Sequence, residues 1–410
     1  MMLNFRLLIV SSMYPGYLRD FYEKTPEVSG MDYEKHYGAL LADSSEFAAT
    51  YTRTFSRNGV IVDCIIVNDR HLQKKWAQAN KVRVSDTEDL IFQRIIQFRP
   101  DVLWIEDLRF IKPGFLKNIR KKADFIKLIA GYHCAPLNNG SLEKLKVFDL
   151  VITCTPGLKN DLAAAGIKSY LVYHGFDRDL FPEINVPCSY HNGEVVFTGS
   201  LIHGGGYHNE RIALLEYLLN DGLNIALYVN TESNLKIFLK KVIFSLNRLL
   251  NKGGIKNPEK LFGFLHHGNY NVDFYPEIIR KNLREPKYGF EMYQLLNGSG
   301  IVLNNHGDVA GKYAGNMRLF EATGAGSCLL TDNKSNMADL FDIDNEVVVY
   351  NSREECAEKI RWLLENDSER QRIALSGQRR TLKSHSVDDR CKSIIGILEN
   401  ELMKKELIIK

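Results

Sequence analysis

Short apolar runs alternate along the chain with longer stretches in which apolar positions recur three and four residues apart. The first pattern predicts strands buried on both faces, and the second predicts amphipathic helices. Their alternation reads as repeated β-α-β units closing parallel sheets. In the first half, strands are predicted over 6–11, 60–67, 102–105, 125–130, 150–153 and 169–172, with helices over 44–58, 87–98 and 113–121. Arg99-Pro100-Asp101 is a helix stop, because proline disfavours helical backbone in the residue before it.

The rhythm breaks between Asp177 and Gly193, a stretch rich in turn formers that reads as an interdomain linker. It resumes with strands over 194–198, 224–229, 300–304, 327–331 and 347–350, and helices over 209–220, 288–297, 317–323 and 353–366. The expected class is α/β, with two Rossmann-like, doubly wound domains facing a cleft. Residues 1–180 make the first domain and 190–387 the second, and a helix over 388–410 packs back on the first. A chain of 410 residues is long enough for two separate cores. Ligands of such sheets bind outside the carboxyl ends of the strands.

Composition narrows the partners. A content of 45% hydrophobic and 25% charged residues is ordinary for a globular protein, and a net charge of +3 argues against a general nucleic-acid binder. The seven cysteines are dispersed, with no C-x-x-C pair. They are expected to be buried thiols of a reducing cytoplasm rather than disulfides or zinc ligands. Residues 3–10 read as an opening strand rather than a signal peptide, and no run approaches the ~18 apolar residues of a membrane span. Over 235–250, Leu235, Phe238, Leu239, Val242, Ile243, Leu246, Leu249 and Leu250 form a stripe, with Lys236, Lys240, Lys241 and Arg248 mostly off it. The preferred reading is a core helix with a solvated basic face, and the alternative is a helix lying on an anionic membrane.

The densest chemistry lies in Asn316-Met-Arg-Leu-Phe-Glu-Ala-Thr-Gly-Ala-Gly326. Arg318 and Glu321 share one helix face. Asn316 is expected to cap the helix through its side chain, and the Gly324/Gly326 pair to end it. Arg318 is a bidentate donor suited to a diphosphate, Glu321 an acceptor suited to ribose hydroxyls. Both also make sense as a plain helical ion pair. His306 and Asp308 emerge at a strand end, while Lys312 and Tyr313 lie on the loop before Asn316 and suit a phosphate and a ring. Gly199 and Ser200 are read as the phosphate-facing turn after a strand, with Arg211 helping to neutralise the charge. In the first domain, His133 and Asp107 are the leading candidates for a general base. Glu106 is also available, Tyr14-Pro-Gly-Tyr17 is placed on the acceptor side, and His174 sits near the hinge.

The strand order, the single linker and the Asn-x-Arg-x-Phe-Glu-Ala-x-Gly block together resemble the two-Rossmann-domain glycosyltransferases called GT-B. The nearer likeness is to group 1 transferases related to spore maturation proteins. Ser11-Ser-Met-Tyr-Pro-Gly-Tyr17, Phe148-Asp-Leu-Val-Ile-Thr153, His174-Gly-Phe-Asp177 and Leu303-Asn-Asn-His-Gly-Asp308 extend the resemblance. It implies a nucleotide-sugar donor on the second domain and a glycan or lipid-linked glycan acceptor on the first. It also implies a role in bacterial surface polysaccharide biosynthesis. No cofactor beyond the donor and no catalytic metal are expected, and the location is cytoplasmic, with peripheral contact to the inner membrane face as an alternative. Retaining members carry two glutamates separated by seven residues. Glu321 matches the second, but Tyr313 stands at the first. The alternatives are a non-catalytic nucleotide- or glycan-binding protein, and a sugar-nucleotide epimerase of the same fold.

Overall fold

The computed structural model describes residues 5–184, 194–202, 208–252 and 274–409. The chain divides into two compact units, residues 1–186 with 288–294 and 380–410, and residues 187–287 with 295–379.

The first unit is built on a six-stranded parallel sheet. Its strands are β1 (Arg6–Ser11), β2 (Ile61–Ile66), β3 (Val102–Ile105), β4 (Leu128–Tyr132), β5 (Leu150–Thr153) and β6 (Ser169–Leu171), in the order β2-β1-β3-β4-β5-β6. Strands β1, β3, β4 and β5 are covered on both faces, which explains their unbroken apolar runs. Residues 125–130 were expected to be a strand, yet β4 begins only at Leu128. A turn from Ala123 to Ile126 precedes it, and the Arg99 guanidinium covers the Phe125 ring at 4.2 Å. Tyr14-Pro-Gly-Tyr17 forms the start of a helix. Pro15 opens the helix Pro15–Lys24, a position that needs no N–H donor, and Tyr17 is buried inside it.

The second unit holds β7 (Val195–Leu201), β8 (Ile225–Thr231), β9 (Leu283–Arg284), β10 (Ile301–Asn304), β11 (Cys328–Asp332) and β12 (Val348–Tyr350). They pair in parallel in the order β12-β11-β10-β7-β8-β9. The strand direction of winding reverses between β7 and β10, and in the first sheet between β1 and β3. These two switch points are where sheets of this kind open a ligand crevice.

Two segments expected in the second unit pack with the first. Tyr288 lies against the first core, and Tyr293 packs edge-on to Phe176. Phe176 also pairs with Ser386, which leads into the C-terminal helix Val387–Ile409. The helix Asn234–Lys252 departs most from expectation. Its stripe residues Leu235, Phe238, Leu239, Val242, Leu246 and Leu249 are exposed, and Ile237, off the stripe, reaches the core instead. The side chains of Arg248 and Leu250 lie outside the described residues, as do residues 185–193 of the expected linker.

The cysteines also require a correction. Cys64, Cys328, Cys356 and Cys391 are buried thiols, but Cys134 and Cys154 are joined as a disulfide. They stand 20 residues apart in sequence, and their Cα atoms are 5.6 Å apart because each follows one of two adjacent parallel strands. Spacing alone cannot show such a meeting. Cys188 lies outside the described residues.

Candidate functional site

At the switch point of the second sheet, β10 ends at Asn304 and the chain turns through Asn305, His306 and Gly307. Gly307 takes a φ of +72°, a left-handed conformation that suits glycine. The turn is tied down from several sides. The Asn305 side chain accepts from the Gly307 N–H at 2.8 Å, and the Tyr350 hydroxyl donates to the Asn304 carbonyl at 3.0 Å. Arg211 donates to the carbonyls of Asn305 (2.8 Å) and His306 (3.2 Å).

His306 is the centre of this arrangement. Asp332, the last residue of β11, accepts from the His306 backbone N–H at 2.9 Å and lies 2.7 Å from its Nδ1. Lys334 reaches the other carboxylate oxygen at 3.2 Å. Burial by itself would raise the Asp332 pKa, but His306 and Lys334 outweigh it and hold the carboxyl at about 2. An ionised Asp332 accepts a hydrogen bond from Nδ1–H, so Nε2 faces away from it. That Nε2 atom is buried and has no hydrogen-bond partner among the described residues. A buried imidazole nitrogen without a partner is costly and calls for an explanation.

The remaining residues of the second unit divide by what occupies them. Arg318 and Glu321 form an ion pair at 2.9 Å on the helix Met317–Ala325, with only 14% and 9% of their side chains exposed. Gly326 ends that helix at a φ of +90°, whereas Gly324 lies within it. Asn316 stands at the N-cap position but does not cap. Its side-chain amide donates instead to Asn304 at 2.8 Å, stitching the helix start to the end of β10. Asp308 accepts from the Glu210 N–H at 3.1 Å, at the start of the helix Asn209–Asn220. Gly199 and Ser200 are not a turn, since β7 runs on to Leu201 and both pair with β8. The glycine-rich loop that follows falls on 203–207, outside the described residues. Lys312 is exposed and Tyr313 half-buried. Lys312 borders an open pocket of about 440 Å³, with Asn333, Lys334 and Ser335 on its other sides.

At the switch point of the first sheet, polar groups also converge. Ser11 donates to Glu106 at 2.8 Å and Ser12 to Asp107 at 2.5 Å. Asp107 further accepts from Arg109 through its backbone and guanidinium N–H groups. Burial works against it, but these hydrogen bonds and the Arg109 charge hold its pKa below the usual range. For Glu106, burial together with the neighbouring Asp107 charge outweighs Ser11 and Arg109 and pushes it up to about 7. Glu46 accepts from the Tyr14 N–H at 2.8 Å, and burial raises it to about 8. His133, just beyond β4, is buried, its pKa is lowered by burial, and its Nε2 has no partner among the described residues.

With this geometry in place, similarity to known proteins becomes informative. Residues 248–396 match a family model described as glycosyl transferase-like. A glycosyltransferase from Rickettsia africae ESF-5 superposes with a TM-score of 0.56 over 98% of this chain and 99% of its own, at 11% identity. Anabaena HepE in complex with UDP-glucose gives 0.55 over 97% and 100%, at 13% identity. The sucrose-phosphate synthase of Thermosynechococcus elongatus gives 0.52 over 97% and 99%, at 10% identity. The chain has the GT-B glycosyltransferase fold. No curated protein matches it by sequence.

Viewed as a GT-B protein, the chain carries functional candidates that periodicity did not expose. Asp332 lies just past the predicted strand 327–331, and Glu46 falls within the predicted helix 44–58. Asn304 and Tyr350 lay inside apolar runs. For Asp332 a signal existed, a carboxylate closing an otherwise apolar strand next to the strand that leads to His306. Glu46 carried none, because the Tyr14 N–H that it accepts from lies 32 residues away in the chain.

Proposed function

We propose that the protein is a glycosyltransferase that moves a sugar from a nucleotide-sugar donor, held by the second unit, to a glycan or lipid-linked glycan acceptor at the first. The observation that carries the reading is the His306–Asp332 pair at the β7/β10 switch point, with a buried Nε2 that has no partner among the described residues. A sugar or ribose hydroxyl placed there would satisfy that nitrogen. Arg318 would move part of its charge from Glu321 onto the donor phosphates as the leaving group forms. Lys312 and Lys334 add positive charge nearby, so transfer needs no metal. The transferase-like match over 248–396 and the likeness to HepE, solved with UDP and with UDP-glucose, support this donor class.

For the acceptor side, His133 is the proposed base. It is neutral near pH 7 and its Nε2 is unengaged, whereas the Asp107 carboxylate is saturated by Arg109 and Ser12. The product would be part of a bacterial surface polysaccharide, made in the cytoplasm. The exposed apolar face of Asn234–Lys252, with its lysines, supports peripheral contact with an anionic membrane. Tyr313 in place of a first glutamate favours, as the second reading, a protein that binds the nucleotide without turnover.

Thermal-shift titration with UDP and UDP-sugars tests the donor site, repeated on Arg318→Ala and His306→Ala. The wild type should be stabilised, and each variant should bind at least tenfold more weakly. Absence of stabilisation by any nucleotide or nucleotide sugar would sink the donor assignment. Nucleotide release from a UDP-sugar separates the two readings, because a pure binder liberates none.

A further inference from the structure

The carboxyl ends of β4, β5 and β6 bring together three side chains that the transfer chemistry does not use. Cys134 follows β4, Cys154 follows β5 and His174 follows β6, on three neighbouring strands of one sheet. One ligand atom from each lies within 4.8 Å of the other two. Around a single tetrahedral zinc ion, with Zn–S near 2.3 Å and Zn–N near 2.0 Å, such atoms sit roughly 3.5–3.8 Å apart. Shifts of roughly 1–1.5 Å in these spacings therefore separate the observed cluster from a coordination shell.

We propose that the reduced Cys134–Cys154 pair, with His174, binds a soft divalent cation of the zinc class. The disulfide seen in the structure is then the oxidised form of the same site. A dithiol reductant would open it by exchange, becoming a disulfide itself and leaving two thiols on the protein. The cation then displaces both thiol protons and binds two thiolates and one imidazole. Their two negative charges balance the ion, and a water completes the tetrahedron.

Three further features fit this assignment. The Tyr132 hydroxyl donates to the Val172 carbonyl at 3.2 Å and lies 3.4 Å from His174 Nδ1. Its oxygen can thus accept a hydrogen bond from Nδ1–H and hold the ring, the kind of outer support that metal-ligating histidines use. Arg390 donates to the His174 carbonyl at 3.1 Å, which fixes the backbone that carries the ring. Cys154 is buried while Cys134 and His174 are half-buried, so the cluster is sheltered yet has an entry side. No sequence spacing announces the site, because its ligands come from three separate β-α units rather than from one loop.

Cobalt serves as the spectroscopic probe. The full chain is reduced with a phosphine, its thiols are counted, and Co²⁺ is titrated while the thiolate-to-cobalt charge-transfer band is followed. One equivalent should bind, Zn²⁺ should displace it, and His174→Ala should weaken binding at least tenfold. Cys134→Ser and Cys154→Ser should abolish the band. Because those variants can unfold, the wild type also carries a test of its own. Zn²⁺ should protect Cys134 and Cys154, and none of the other cysteines, from alkylation mapped by peptide mass. Absence of the band in fully reduced protein, zinc-independent alkylation of the pair, or a pair that resists native reduction would each overturn the proposal.

Discussion

Glu46 illustrates how burial turns an ordinary residue into a proton-holding one. Its carboxyl is raised from 4.5 to about 8, chiefly by desolvation, and the nearby Glu106 adds repulsion. In the unfolded chain it ionises near 4.5, so between that value and 8 the folded state binds the extra proton. Stability from this group is complete below pH 4.5 and is lost as pH rises through 8. The melting temperature should therefore fall between pH 5 and 8, and Glu46→Gln should flatten that slope. An unchanged slope in the variant would show that Glu46 ionises normally. Asp332 behaves in the opposite sense. Held at about 2 by His306 and Lys334, it stabilises the fold above its unfolded value near 3.8. That contribution is lost as pH falls through 2.

Among the elements, β4 shows why a glycine can be required inside a strand. A Cβ on Gly131 would lie 2.3 Å from the Phe148 ring and 2.4 Å from the Ile105 carbonyl oxygen. The neighbouring strand cannot move without breaking its pairing. Gly131→Ala should cost about 1–3 kcal/mol, the usual range for overpacking, read as a lowered melting temperature. A neutral result would mean that Phe148 swings away freely. The helix Asn234–Lys252 makes a different prediction. Leu235 and Leu249 are 69% and 65% exposed, on a face where core residues were expected. Cosedimentation with anionic vesicles should be salt-sensitive and should drop several-fold in a Leu239→Ser/Leu246→Ser double variant. Equal binding by the variant would remove this face from membrane contact.

In the whole molecule, the C-terminal helix belongs to the core of the first unit. Cys391, Ile394, Leu398 and Leu402 are buried in the same cluster as β1, β3 and β4. The Phe176 N–H donates to the His385 carbonyl and the Val387 N–H donates to the Phe176 carbonyl where the helix begins, and a Cβ on Gly175 would meet that backbone at 2.9 Å. Each fully buried aliphatic side chain is worth roughly 1.5–3 kcal/mol, and a typical domain is stable by only about 5–15 kcal/mol. A chain ending at Ser386 should therefore lose cooperative unfolding of the first unit and become protease-sensitive there. Retention of that transition would show the helix to be dispensable.

Hydrophobic periodicity by itself determined the α/β class, most strand positions and the helix Asn209–Asn220, because buried parallel strands must be continuously apolar. It also determined the left-handed stop at Gly326, which follows from local sterics. What only the tertiary structure decided were the meetings between distant segments. Among them are His306 against Asp332, Asn316 against Asn304, the exposed face of Asn234–Lys252 and the junction of Cys134 with Cys154. Periodicity reports which face of an element is buried on average. Strand order decides which residues share a carboxyl edge, and no local pattern encodes strand order.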